Sequence, residues 1–189
     1  VVDADELISE MISIARDEIE KRHPGLEKEI IDERAKKIGT GALKFFMLKM
    51  DALKDMHYNP EESISFEGET GAYVQYAIAR INSIMKKYAR KAPQNIDYAR
   101  LSDEHSQKII SMLSRWPDAA LDAAEHYKPS AITRYLLDLS QEFNEFYHNS
   151  PILDMADELR DARIVLILCV KQVLEIGLDI LGIQSVDEM

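Results

Sequence analysis

The sequence predicts a mainly all-α protein, a helical bundle preceded by a segment of helices and short extended pieces. Three observations carry that reading. The 189 residues hold only 7 glycines and 6 prolines, β-branched runs are few, and apolar residues recur at helical spacing in many windows. Asp3 or Asp5 can cap a first helix, whose Leu7, Ile8, Met11, Ile12 and Ala15 fall on one face at the i, i+3, i+4 spacing. Pro24 and Gly25 stop it near His23. A second helical stretch runs from about Leu26 to Met50, and Gly39 and Gly41 are where it would break.

Between Asp51 and Gly71 the pattern changes. Pro60, Gly68, Gly71 and the alternation of Ile64 with Phe66 read as a loop with one or two short extended pieces, the best place for a boundary between residues 1–68 and 69–189. Five helices follow, from Tyr73 to about Arg90, Asp103 to Arg115, Pro117 to Tyr127, Pro129 to about Asn149 and Ala156 to Leu181. Pro117 and Pro129 suit first-turn positions, where the missing N–H loses no bond. Gly182 suits the exit of the last helix. The outcome expected is a bundle of ordinary domain size.

With 23 basic and 34 acidic residues, the net charge of −11 excludes a generally basic nucleic-acid binder. No run approaches the ~18 apolar residues that span a bilayer, and the N-terminus lacks the order of a signal peptide. A cytoplasmic protein that binds neither membrane nor DNA is expected. The single cysteine, Cys169, has no disulfide partner and reads as a small core residue.

The distribution of charge is more informative than its sum. Residues 1–90 carry 14 basic and 17 acidic groups, and the remainder 9 and 17. Yet Thr70 to Ile96 contains no acidic residue and five cations, Arg80, Lys86, Lys87, Arg90 and Lys91. At ~100° per residue, Arg80 and Lys87 share a helix face with Tyr73 and Tyr76. Such a face can be an ordinary solvated surface, or a platform for phosphates and unstacked bases. In the second case Lys86, Lys87 and Arg90 would contact phosphates.

Other motifs are sparse. Glu20 with His23, and Glu145 with His148, have the Glu-x-x-His spacing of di-metal bundles. His23 lies at a helix stop, however, and no partner glutamates stand out inside an apolar stripe, so no metal site is expected. There is no glycine-rich phosphate loop, nucleophile elbow, Cys-x-x-Cys or distinctive carboxylate pair, so no catalytic residue is expected. Trp116 before Pro117 reads as a packing anchor.

Three stretches remain: Phe66 to Ile84, Tyr135 to Leu153 and Asp161 to Met189. Gly68-Glu-Thr-Gly71, then Tyr73-Val-Gln-Tyr76 with Arg80, and Gly177-Leu-Asp-Ile-Leu-Gly182 with Met189, make the sequence resemble the C-terminal part of the class I arginyl-tRNA synthetases, which ends in an anticodon-binding domain of the DALR type. Asp161-Ala-Arg-Ile164 departs from a literal Asp-Ala-Leu-Arg string, so the resemblance rests on the broader pattern. It covers nearly the whole chain. The opening VVDADELISE, with valine first, resembles the stretch after the family's Lys-Met-Ser-Lys loop, and neither that signature nor His-Ile-Gly-His occurs.

The resemblance implies that residues 1–68 are the tail of a catalytic region with stem-contact elements and that residues 69–189 read an anticodon. The partner implied is tRNA(Arg), together with the catalytic domain of the parent ligase. That parent would use ATP with magnesium, whereas this part would hold no cofactor and be inactive alone. Tyr73, Gln75, Tyr76, Arg80, Tyr147 and Met189 are the anticodon contacts it implies, with the chain-terminal carboxylate of Met189 accepting from cytosine. Arg163 is expected to be structural. The alternative readings are a helical protein-interaction module without RNA binding, and a di-metal bundle.

Overall fold

Among the described residues, eight α-helices account for nearly all the regular structure. The computed structural model describes residues 3–51, 54, 59–66 and 68–189. Helix α1 spans Ala4–Arg22, α2 Lys28–Lys49, α3 Pro60–Ser63, α4 Gly71–Tyr88, α5 Glu104–Ser114, α6 Trp116–Glu125, α7 Pro129–Asn149 and α8 Asp157–Ile180, with a 3-10 turn at Tyr98–Arg100. Asp3 caps α1 by accepting from the Asp5 amide at 2.8 Å. Pro129 opens α7, and Gly182, at φ +67°, follows the end of α8 in the left-handed conformation that glycine adopts freely.

Two expectations change here. Helix α2 runs unbroken through Gly39 and Gly41, because both glycines are buried against neighbouring elements that stabilise the helix. The short extended pieces do not form: no strand occurs among the described residues, and Asn59 caps the single helical turn of α3 instead.

The interior forms two apolar clusters. Met11, Ala15 and Ile19 of α1 meet Ile31, Ala35 and Ile38 of α2, joined by Ile64, Ala72 and Val186. The larger cluster fills the bundle of α4 to α8, with Leu136, Phe143 and Phe146 of α7 against Ile78, Ile81, Ile164 and Ile167. Phe45 of α2 belongs to the larger cluster, so α2 bridges both. Trp116 anchors packing as expected, 5.1 Å from the Tyr135 ring, whose hydroxyl donates to the Met112 carbonyl at 2.7 Å. Burial pushes the Tyr135 phenol up to about 12. Cys169 overturns its expectation and is exposed, since its position on α8 turns away from the buried stripe of Ile164, Ile167 and Val170.

The crossing of α2 and α4 is unusually close. A Cβ on Gly71 would lie 2.8 Å from the Phe45 Cβ and 3.1 Å from the Gly41 carbonyl oxygen. Thr70 caps α4, accepting from the Tyr73 amide at 3.0 Å and donating to the Ser65 carbonyl at 2.5 Å. The Gly-Glu-Thr-Gly string thus starts α4 and lets it approach α2.

Arg163 is structural, as expected. It is buried, lies 5.6 Å from the Phe146 ring centroid, and donates to the Pro151 carbonyl at 2.5 Å and to Asp103 at 3.2 Å. Burial pushes the Asp103 carboxyl up, but donors from Ser106 and Arg163 outweigh it and hold the group below its ordinary value.

Two outcomes test this packing. Gly71→Ala should destabilise the protein by about 1–3 kcal/mol, read from urea unfolding, because the Phe45 Cβ cannot rotate away. Asp103, with its pKa lowered in the folded state, contributes stability above the ordinary aspartate value of about 3.9 and loses it as pH falls through the folded value. Asp103→Asn keeps the helix cap and should flatten the loss of unfolding midpoint with acidification; an unchanged acid profile would contradict the pairing.

Candidate nucleic-acid interface

Helix α4 carries the residues of interest on two different faces. Tyr73, Tyr76 and Arg80 recur at i, i+3, i+7 and lie partly exposed on one side. The Arg80 guanidinium sits 4.6 Å from the Tyr76 ring centroid and 4.7 Å from that of Tyr147 on α7. It donates to Asn144 Oδ1 at 2.6 Å and to the Tyr76 hydroxyl at 2.8 Å. Two aromatic faces and two neutral acceptors therefore hold the cation, which has no carboxylate partner among the described residues. The internal salt bridge that would explain Arg80 as purely structural is absent there.

Tyr76 and Arg80 form the shared wall of two open clefts. The larger, about 840 Å³, is bordered by Phe66, Tyr73, Asn144 and His148, with Arg22 entering from α1. The smaller, about 430 Å³, is bordered by His23, Ser83, Lys86, Tyr147 and Met189. Arg22 lies 4.1 Å from the Phe66 ring centroid, so this side presents several cation–aromatic contacts. Asn144, Arg22 and Phe66 were not among the site residues expected from the sequence. Asn144 has a signal in retrospect, being three residues before Tyr147 on α7 and hence on its face. His23 and His148 enter different clefts and do not assemble a di-metal centre with Glu20 and Glu145.

Gln75 corrects the sequence reading. One residue from Tyr76 is ~100° around a helix, and the side chain turns inward, fully buried. Its amide Nε2 donates to the Gln184 carbonyl at 2.7 Å and to the Lys37 carbonyl at 3.4 Å. It therefore ties the C-terminal tail and α2 to α4 and has no surface with which to touch a base. Gly41 makes room for it, since a Cβ there would stand 3.0 Å from Gln75 Nε2.

The tail continues along α4. Val186 is buried, Asn82 donates to the Asp187 carbonyl at 3.2 Å, and Glu188 pairs with Arg34 at 2.6 Å and with Lys86. Met189 consequently lines the cleft beside Tyr76, Arg80 and Tyr147. Lys86 is not the free cation that the acid-free stretch suggested, because Glu188, 102 positions further along the chain, returns to it. Lys87 is exposed and makes no ion pair among the described residues, while the Arg90 guanidinium lies 6.0 Å from the Tyr88 ring centroid.

Comparison with known proteins adds a relationship to this geometry. A family model described as the DALR anticodon binding domain matches residues 74–189. The chain is 37% identical over 189 residues to a Halothermothrix orenii protein named arginine–tRNA ligase, and 38% identical over 199 aligned positions to a Bacteroides fragilis protein of the same name. All of the chain is covered in both cases, but it spans only 33% of the length of either relative. The structure of Thermus thermophilus arginyl-tRNA synthetase superposes with a TM-score of 0.92 and 31% identity, covering 100% of this chain and 32% of that one. The Plasmodium falciparum arginyl-tRNA synthetase shares the fold, with a TM-score of 0.85 at 21% identity, over 100% of this chain and 34% of that one.

Gln75→Leu tests the anchoring role. It preserves size but leaves the Gln184 carbonyl without its donor, and should cost about 1–3 kcal/mol of stability in urea unfolding. The tail should loosen with it, read as a sharper methyl resonance from Met189. A stable variant with an unchanged Met189 signal would refute the anchor.

Proposed function

Because this chain belongs to the DALR anticodon binding domain family, we propose that it is the tRNA-reading portion of an arginine–tRNA ligase, binding the anticodon loop of tRNA(Arg) across the Tyr76–Arg80–Tyr147 wall. The observation that carries this reading is the arginine held against two tyrosine rings between two open clefts, with no carboxylate partner among the described residues. Loop bases are recognised by splaying them onto aromatic or guanidinium planes and satisfying their edges with hydrogen bonds. Every arginine codon has G in the middle, so the matching tRNAs share a cytosine there. Its amino group requires an acceptor, which uracil's carbonyl cannot use. The tail around Met189 supplies that acceptor in this reading, and Tyr73, Tyr76 and Tyr147 supply stacking surface. Gln75 acts indirectly, by seating the tail.

Residues 1–68 would close the catalytic region of the parent and contact the tRNA stem, and residues 69–189 would form the anticodon module. The parent would consume ATP with magnesium to activate arginine. Neither family signature for that chemistry occurs in these 189 residues, so this portion alone would bind tRNA without charging it. No helix among the described residues is long and apolar enough to cross a membrane.

Tyr76→Ala should weaken binding to tRNA(Arg) by about 10- to 100-fold, the worth of one stacked base, in a filter or gel-shift titration. Unchanged affinity would assign Tyr76 to packing. Salt dependence separates the lysines. Lys87→Ala and Arg90→Ala should each lower the slope of log K against log salt by about 1, whereas Lys86→Ala should lower it less, because Glu188 already neutralises that charge. Equal slopes for the three would contradict the Glu188 pairing. Binding that ignores the middle base would leave a protein-interaction module as the better account.

A further inference from the structure

The Glu145 of the Glu-x-x-His pair finds partners other than His148. Helix α5 places His105 opposite α7, where Glu142 and Glu145 stand three residues apart and so on neighbouring positions of one face. One ligand atom from each of the three residues lies within 4.8 Å of the others. His105 Nδ1 is 3.5 Å from Glu142 Oε1. Both atoms are buried, and neither has a hydrogen-bond partner.

At 3.5 Å the two make an ion pair only when the imidazole is protonated, and otherwise each buried atom lacks the partner that such atoms ordinarily have. A cation between them removes the deficit. Around a tetrahedral zinc with bonds of ~2.0–2.2 Å, neighbouring ligand atoms stand about 3.3–3.6 Å apart, which brackets the His105–Glu142 distance. Charge also balances. Lys108 pairs with Glu104 at 3.0 Å, leaving two carboxylates beside the imidazole to meet a divalent charge. Lys108 does stand close enough to Glu142 and Glu145 to feel both, so its ammonium is the competitor that a metal must outbid.

We propose that His105, Glu142 and Glu145 form a binding site for a divalent transition-metal cation of zinc-like preference, clamping the start of α5 to α7. Exposed Glu145 closes the site from the solvent side, and a water completes the coordination. The site is remote in composition from the clefts around Arg80, sharing no lining residue with them. Its effect is therefore on the stability of the bundle, through preferential binding to the folded state.

The test uses the untagged chain, freed of metal with a chelator. Zinc is titrated calorimetrically, and cobalt by visible absorption, whose intense d–d bands report four-coordination. One equivalent should bind, and zinc should raise the thermal unfolding midpoint. Glu145→Gln changes an exposed residue and cannot unfold the protein, yet it should weaken binding by about 10-fold or more and abolish the midpoint shift. His105→Gln and Glu142→Gln should do the same, whereas His23→Gln and His148→Gln should leave the titration unchanged. The proposal is overturned if no saturable binding occurs, if binding survives Glu145→Gln and His105→Gln, or if it is lost instead with His23 or His148.

Discussion

The close crossing of α2 and α4 organises the rest of the molecule. Gly71 brings α4 within contact of Phe45, and Gly41 admits the Gln75 amide. From that one amide, bonds run to α2 and to the C-terminal tail. Moving the helices apart by the width of a methyl group would unseat Gln75, and with it the path by which Gln184 to Met189 returns along α4. The two apolar clusters also meet here, since α2 contributes Ala42 and Leu43 to one and Phe45 to the other.

Seating one face of α4 presents the other. With Gln75, Ile78 and Ile81 committed inward, Tyr76 and Arg80 must face outward, where α7 offers Tyr147 and Asn144. The guanidinium is held by neutral groups and keeps its full charge for an anion or a base edge. The overall charge of −11 opposes RNA at long range, so attraction has to be local. The tail both helps and hinders: it carries Met189 into the cleft, and its Glu188 screens Lys86.

Most of the helices were legible, because local signals end them. Pro129 and Asn149 bound α7 as expected, Asp3 caps α1 as one of the two residues expected to, and Asp103, where the next helix was expected to start, is its cap. The loop before α4 was legible as a loop, yet no strand forms among its described residues: Ile64 is buried against the first cluster, and alternation over three residues is too little pattern to specify a sheet. Gly39 and Gly41 read as breaks because sequence spacing does not reveal the packing that compensates a glycine. The site divides the same way. The shared face of Tyr73, Tyr76 and Arg80 follows from helical period. Gln75 was misread because a motif lists neighbours in sequence, while a helix sends them in different directions. The pairings of Lys86 with Glu188, and the approach of His105 to Glu142 and Glu145, depend on tertiary return of the chain and left no local trace.

The central claim is that the anticodon loop binds across the wall of Tyr76, Arg80 and Tyr147, with its middle base in the cleft that Arg80 shares with Met189. The most direct measurement is the Arg80 side-chain Nε–H resonance, in arginine-labelled protein, during titration with an anticodon stem-loop of tRNA(Arg). The account predicts that this signal shifts with the cytosine-bearing loop and moves far less when uracil replaces the middle base. A saturating titration in which other residues respond and Arg80 does not, or responds equally to both loops, would contradict it.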